Sequence, residues 1–274
     1  SSLTAHEASN VGATQINIGA NGQFIMDAAG AGTWTLTNNV TGAGQLVKQN
    51  TGTVLINQAN TRTGLTAVNG GTLQLGDTGA LGTGGVSVAA GGTLELLAGA
   101  SGTFNNSIAN NGLVKLGSTS LTWGSTLTGS GATTLLAGST VTLNTDASAY
   151  TGAWTIESGA VAHMKKADNI GSGSVALNGT LNLATDTGAG NYTWGNVLTG
   201  AGDLNVTLSN KNDSFSFAST SGNAFTGRLV VNQGKYLFST ADKTGSGTLS
   251  GGTLVLGANG SARLDDNYAI GALT

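Results

Sequence analysis

The property that most restricts this chain is that it repeats itself. Thr63-Gly64-Leu65-Thr66-Ala67-Val68-Asn69-Gly70-Gly71 aligns with Thr151-Gly152-Ala153-Trp154-Thr155-Ile156-Glu157-Ser158-Gly159. Both align with Thr226-Gly227-Arg228-Leu229-Val230-Val231-Asn232-Gln233-Gly234. A second phrase, Gly-Thr-Leu-X-Leu, recurs at Gly71, Gly92, Gly179 and Gly252. A strand-turn unit of this size cannot bury its own apolar face, so such copies fold by stacking on one another.

Within each phrase the apolar residues alternate with polar ones. In Gly71-Thr72-Leu73-Gln74-Leu75 the two leucines fall on one side. Short runs of this kind, rich in Thr, Val and Leu and bounded by Gly and Asn, read as strands of about four to six residues. The best helical candidate, residues 160–169, is short. There is no Pro among 274 residues, so no backbone N–H is removed from a hydrogen-bonded ladder. The 46 glycines suit corners that need φ > 0, and Asn tolerates the same conformation.

Composition narrows the classes of function. A net charge of −3, with Lys165-Lys166 as the one basic doublet, lacks the concentrated basic face that nucleic acid requires. No stretch approaches the roughly 18 apolar residues of a membrane helix. There is no signal peptide at the start, and Ser1 reads as the beginning of a mature or trimmed chain. The absence of Cys excludes disulfides and thiolate metal sites, and fits export through a bacterial envelope in an unfolded state.

A larger unit contains the phrases. It opens at Trp34, Trp123 and Trp194, continues with Thr-Gly-X-Gly at Thr41, Thr128 and Thr199, and then reaches the Thr-Gly strands at 63, 151 and 226. A glycine-rich turn follows, at Gly82-Thr83-Gly84-Gly85, Gly171-Ser172-Gly173 and Gly245-Ser246-Gly247. Three copies therefore occupy 34–96, 123–183 and 194–256 within one segment, 1–274, and the tryptophans are expected to recur in register as packing or capping residues. Coiling of the chain around an axis stacks parallel strands about 4.8 Å apart and lines the in-pointing Leu, Val and Ile into columns. The expected fold is all-β, a right-handed parallel β-helix of about a dozen coils, because parallel crossovers are right-handed. Antiparallel sandwiches and barrels also give many short strands. The collinear, mutually similar repeats favour the solenoid.

The runs from Thr63-Gly64 to Gly92-Thr93-Leu94-Glu95-Leu96, from Tyr150-Thr151-Gly152 to Gly179-Thr180-Leu181-Asn182-Leu183, and from Phe225-Thr226-Gly227 to Gly252-Thr253-Leu254-Val255-Leu256 resemble the autotransporter-associated β-helix repeat. That repeat belongs to the passenger regions of type V secreted proteins of Gram-negative bacteria. The resemblance covers roughly residues 34–264. It implies a right-handed β-helix exported through the outer membrane by a C-terminal β-barrel and displayed at the cell surface. It also implies adhesion, autoaggregation or biofilm formation, through self-association between cells or contact with host matrix protein or glycan. Some members carry protease or esterase domains. No alternating membrane strands precede Thr274, which places the barrel outside this chain.

Catalytic chemistry has little to build on. A nucleophilic triad needs a His, and only His6, in the first few residues where chains fray, and His163 exist. The nearest approach to a Ca²⁺-binding solenoid motif, Gly200-Ala201-Gly202-Asp203, does not recur, and the acidic doublet Asp265-Asp266 stands alone. No enzyme activity, cofactor or metal is expected. Two segments interrupt the pattern and are the candidate contact surfaces: 160–169, with His163, Lys165 and Lys166, and 209–214, with Lys211, Asn212 and Asp213. Trp154 holds a strand position taken by Thr66 and Leu229 in its siblings. Strand alternation leaves core and surface equally open to it, and it joins the candidates.

Overall fold

Alternation of side chains across a strand, repeated turn after turn, produces the observed architecture directly. The computed structural model describes residues 1–218, 224–238 and 252–264. The turn Gly245-Ser246-Gly247 and the doublet Asp265-Asp266 lie outside these residues. The chain is a parallel β-solenoid of about 11 turns, so the rod is roughly 50 Å long. Every described strand pair is parallel, and among the described residues helix is confined to the 3₁₀ turns Ala8–Asn10 and Ala167–Asn169.

Three sheets form the sides. The first has seven strands, from Ser2–Ala5 through Gln45–Gln49 and Thr66–Val68 to Leu127–Thr128. The second has ten, from Thr33–Leu36 through Gly71–Leu75, Gly92–Leu96 and Trp154–Ile156 to Ala224–Phe225. The third runs from Gly102–Phe104 through Thr140–Leu143, Val161–Met164, Thr180–Ala184 and Asp203–Thr207 to Arg228–Phe238. Strand Thr253–Leu264 pairs with Arg228–Phe238, and so do Ser214–Phe217 and, through it, Tyr192–Trp194.

In-pointing residues stack as columns. Leu75, Leu96, Leu116 and Leu135 are successive partners in the second sheet and are fully or almost fully buried. Each such side chain contributes about 1.5–3 kcal/mol of hydrophobic stabilisation. Two in-pointing residues are cations instead, Lys48 in a column and Arg62 at a corner. Lys48, between Met26 and Val68, is inaccessible to solvent and donates to the carbonyls of Gln49, Asn50 and Gly70 at 2.9–3.0 Å. Arg62, equally buried, donates to the Gly44, Leu65 and Leu81 carbonyls and to Thr66 Oγ1.

The corners explain the Thr-Gly phrase. A Cβ on Gly64 would lie 1.9 Å from the Gly44 carbonyl oxygen of the preceding coil, and one on Gly152 would lie 1.7 Å from that of Gly131. Glycine is required there because coils approach through their backbones. Elsewhere a buried Asn closes the corner. Asn38, Asn106 and Asn196 each donate from Nδ2 to two carbonyls of the coil before, those of Gly12 and Thr14, Gly82 and Gly84, and Gly171 and Gly173. Polar groups that the turn would strand inside are thereby paired.

Two features of the repeat need refinement. The tryptophans are packing residues, as expected, but they do not stack on one another. Trp34 is in the second sheet, Trp123 in the third, and Trp194 in the short strand beyond it, although all are buried. The repeat is not a whole number of coils, so each copy is rotated by one side of the rod. The Thr63-Gly64 copy feeds the first sheet, the Thr151-Gly152 copy the second and the Thr226-Gly227 copy the third. Residues 160–169 do not replace a strand either. Val161–Met164 stays in register between Thr140–Leu143 and Thr180–Ala184, and a 3₁₀ turn follows it.

Candidate functional site

The third sheet and the corner after it bring the polar interruptions together. Successive out-pointing partners on this sheet are Thr103, Thr122, Thr142, His163, Asn182, Asn205 and Val230. Asn205 Nδ2 donates to Asn182 Oδ1 at 2.8 Å, and Asn182 Nδ2 lies 3.4 Å from His163 Nδ1. The imidazole is exposed.

Beyond each strand the chain leaves the sheet in a loop, and three loops lie on consecutive coils. The first is the turn around Ala167–Asn169. Buried Asn169 accepts the backbone N–H of Lys165 and Lys166 on its Oδ1 and donates to the Thr145 carbonyl at 2.8 Å. This fixes the backbone from which both lysines project. Lys165 pairs with Asp186 at 2.8 Å and Lys166 with Asp168 at 3.5 Å. The second loop, 185–191, is tied to the third, because Thr185 Oγ1 accepts the Ser209 N–H and Asn191 Oδ1 accepts the Ser214 N–H. In the third, Asn210 turns the chain by accepting from the backbone of Asn212 and Asp213, and Ser209 Oγ donates to Asp213 at 3.0 Å. Lys211 and Asn212 are exposed at its tip. The Lys165-Lys166 level and the Lys211-Asn212-Asp213 level are therefore two coil steps apart, roughly 10 Å.

The electrostatics are balanced. Lys165, Lys166 and Lys211 alternate with Asp168, Asp186 and Asp213, so the edge has no strong potential of either sign. The Asp146 carboxyl, next to this corner, is held below the usual carboxylate range by hydrogen bonds from the Ser148 hydroxyl and N–H, with the Lys166 charge adding to them. The arrangement offers many hydrogen-bond donors and acceptors with paired charges. Among the described residues there is no group of three or more His, Asp or Glu able to hold a metal ion.

Trp154 does not belong here. It is 1% exposed, packs in the core beside Trp123 and Tyr150, and donates from Nε1 to the Ile170 carbonyl at 2.8 Å. It holds an in-pointing place in its strand, between its buried partners Thr133 and Val175. His6 is also better ordered than its position suggested. It follows strand Ser2–Ala5 and its Nδ1 lies 3.1 Å from Asp27. Sequence reasoning missed Asn182, Asn205, Asp168 and Asp186. The first two were readable in principle, since each sits at the out-pointing place of its strand. The aspartates needed the stacking of loops to be known.

Comparison with known proteins adds no assignment: no family model, no curated protein and no solved structure matches the chain.

Proposed function

We propose that this chain is the adhesive passenger segment of a Gram-negative autotransporter, displayed at the cell surface, where rods associate with one another or with matrix protein or glycan. The observation that carries the reading is a set of short ranks of neutral hydrogen-bonding side chains, each spanning three or four coils of the rod. Thr33, Thr53, Thr72 and Thr93 are successive partners on the outside of the second sheet, as are Thr103, Thr122 and Thr142 on the third. Each contact such a rank makes is weak. A rank of them engaged together, and many rods per cell, turns weak contacts into firm attachment. The balanced charge of the loop edge removes like-charge repulsion between two copies.

The test is to display residues 1–274 on non-adherent cells through an outer-membrane barrel and to follow settling and surface attachment. Clumping or attachment by displaying cells, absent from cells carrying the barrel alone, supports the reading. Surface display verified by antibody, with neither effect, overturns it and leaves a stalk that holds another domain away from the membrane.

A further inference from the structure

We propose that His163 sets the hydrogen-bond direction of the Asn182–Asn205 ladder, so that a proton on its ring reverses which groups this part of the third sheet presents. A neutral imidazole has one donor and one acceptor nitrogen. With Asn182 Nδ2 facing Nδ1 at 3.4 Å, Nδ1 is the acceptor and the ring proton is on Nε2. Asn182 then has its Oδ1 free to accept from Asn205 Nδ2, as observed at 2.8 Å. The direction of every bond in the ladder follows from that one tautomer.

Protonation makes both ring nitrogens donors. Nδ1–H and the Asn182 amide N–H groups then face each other. Rotation of the Asn182 amide presents Oδ1 to the ring, and a bond from a charged donor is stronger than the neutral one it replaces. The same rotation turns Asn182 Nδ2 towards Asn205, whose amide must also rotate to accept. The free end of the ladder at Asn205 changes from a carbonyl oxygen to an NH₂ group. The ladder is bounded by Thr142 on the strand before and by the apolar Val230 on the strand after, so no amide beyond it competes.

The charged groups around the ring are paired with one another or held by hydrogen bonds. On its own chain segment, Lys165 is held by Asp186 and Lys166 by Asp168. Strands Thr140–Leu143 and Thr180–Ala184 carry no titratable side chain, and Asp203 on the next strand is 3.0 Å from Arg228. At the preceding corner Glu157 accepts the Ala137 N–H, and Asp146 is occupied by Ser148.

The experiment is a pH titration of the ¹⁵N-labelled full chain by NMR, reading the His163 ring nitrogens and the side-chain NH₂ groups of Asn182 and Asn205. The expected result is an Nε2–H tautomer at high pH, with both amide signals shifting at the midpoint of the His163 ring. In His163→Gln neither amide should respond, whereas His6→Gln should leave the response intact. An Nδ1–H tautomer at high pH, an Asn205 signal that ignores the His163 midpoint, or a response that persists in His163→Gln would each overturn the proposal.

Discussion

Two stretches of the rod solve the same packing problem with different coils. In the three main sheets, strand partners up to Thr180 are 19–22 residues apart, as in Thr53 with Thr72 and Gln23 with Gln45. Beyond Thr180, third-sheet partners along the main path are 23 and then 25–26 residues apart, while Ser214–Phe217 pairs with Arg228–Phe238 at a spacing of 21. The narrow coils are filled mostly by Leu, Val and Ile columns, with one ring cluster of Phe104, Trp123, Tyr150 and Trp154. The wide coils hold a second ring cluster: Phe215 lies 5.9 Å from Tyr192, 5.0 Å from Phe217 and 6.3 Å from Tyr236. Interiors pack to crystal-like density, so each stretch depends on the particular side chains that fill it.

The strongest way to break the narrow stretch is at its corners. Gly152→Ala places a Cβ where the Gly131 carbonyl oxygen already is, 1.7 Å away, and a backbone atom cannot step aside. A loss of about 3 kcal/mol or more is expected, read as a fall in the urea midpoint. The matching change in the wide stretch is Gly195→Ala, where no atom lies within 4 Å and φ is not positive. It should be neutral or stabilise by up to about 1 kcal/mol, since Ala restricts the unfolded chain. Equal costs at the two sites would refute the close approach of coils as the reason for the Thr-Gly phrase.

Next in size are exchanges of core side chains between the two stretches. Leu96→Phe puts a ring into a column whose neighbours are Leu75 and Leu116, and overpacking should cost about 1–3 kcal/mol. Phe215→Leu removes volume from among four rings and should cost about 1–2 kcal/mol through the cavity it leaves. If the wide coils accepted Leu at no cost, the ring cluster would not be what fills this part of the core.

Much of this was legible beforehand, for a definite reason. Alternation in Gly71–Leu75 and Gly92–Leu96 fixes which side chains point inward, and the similarity of the phrases fixes that they stack. What the phrases could not tell is how many residues pass between copies. Trp34, Trp123 and Trp194 look equivalent because each opens a copy, yet a copy that is not a whole number of coils carries each to a different place. Trp154 was open between core and surface because its sibling positions hold Thr66 and Leu229, one polar and one apolar, yet both of these are buried too. Lys48 and Arg62 break the pattern without any signal, because backbone carbonyls, not side chains, are their main partners. In the loop edge, the members were readable one by one, but their alignment depended on coil lengths.

Titration separates the two stretches by sign. Burial pushes the Lys48 amine down to about 8 from 10.5, against the pull of Asp27. Between those pH values the unfolded chain holds the proton and the folded one does not, so stability rises with pH across that window. Lys48→Met should remove the rise. In the wide stretch, burial raises the Tyr192 phenol well above its usual 10.0, with the Asp168 charge adding to the effect. There the folded chain keeps a proton that the unfolded chain loses, so stability falls as the pH climbs past about 10. Tyr192→Phe should lessen that fall. Thermal midpoints recorded from pH 7 to 11 for parent and variants test both. A Lys48→Met curve parallel to the parent from pH 8 to 10 would show that the buried amine does not lose its proton there.

The smallest effect is expected at the surface of the wide coils, where Arg228 Nε lies 3.0 Å from Asp203. Both side chains are substantially exposed, at 58% and 36%, so water and salt screen the attraction and the ordered geometry costs side-chain entropy. Arg228→Ala should therefore lower stability by only about 0.2–1 kcal/mol, and the difference should shrink further in 1 M salt. The pair sits on the strand step where the coil lengthens from 23 to 25 residues. A loss several-fold larger than this, insensitive to salt, would mean that Arg228 holds the wide coil in place through its apolar stem and not through its charge. The transition from narrow to wide coils would then depend on a surface residue as well as on the rings inside.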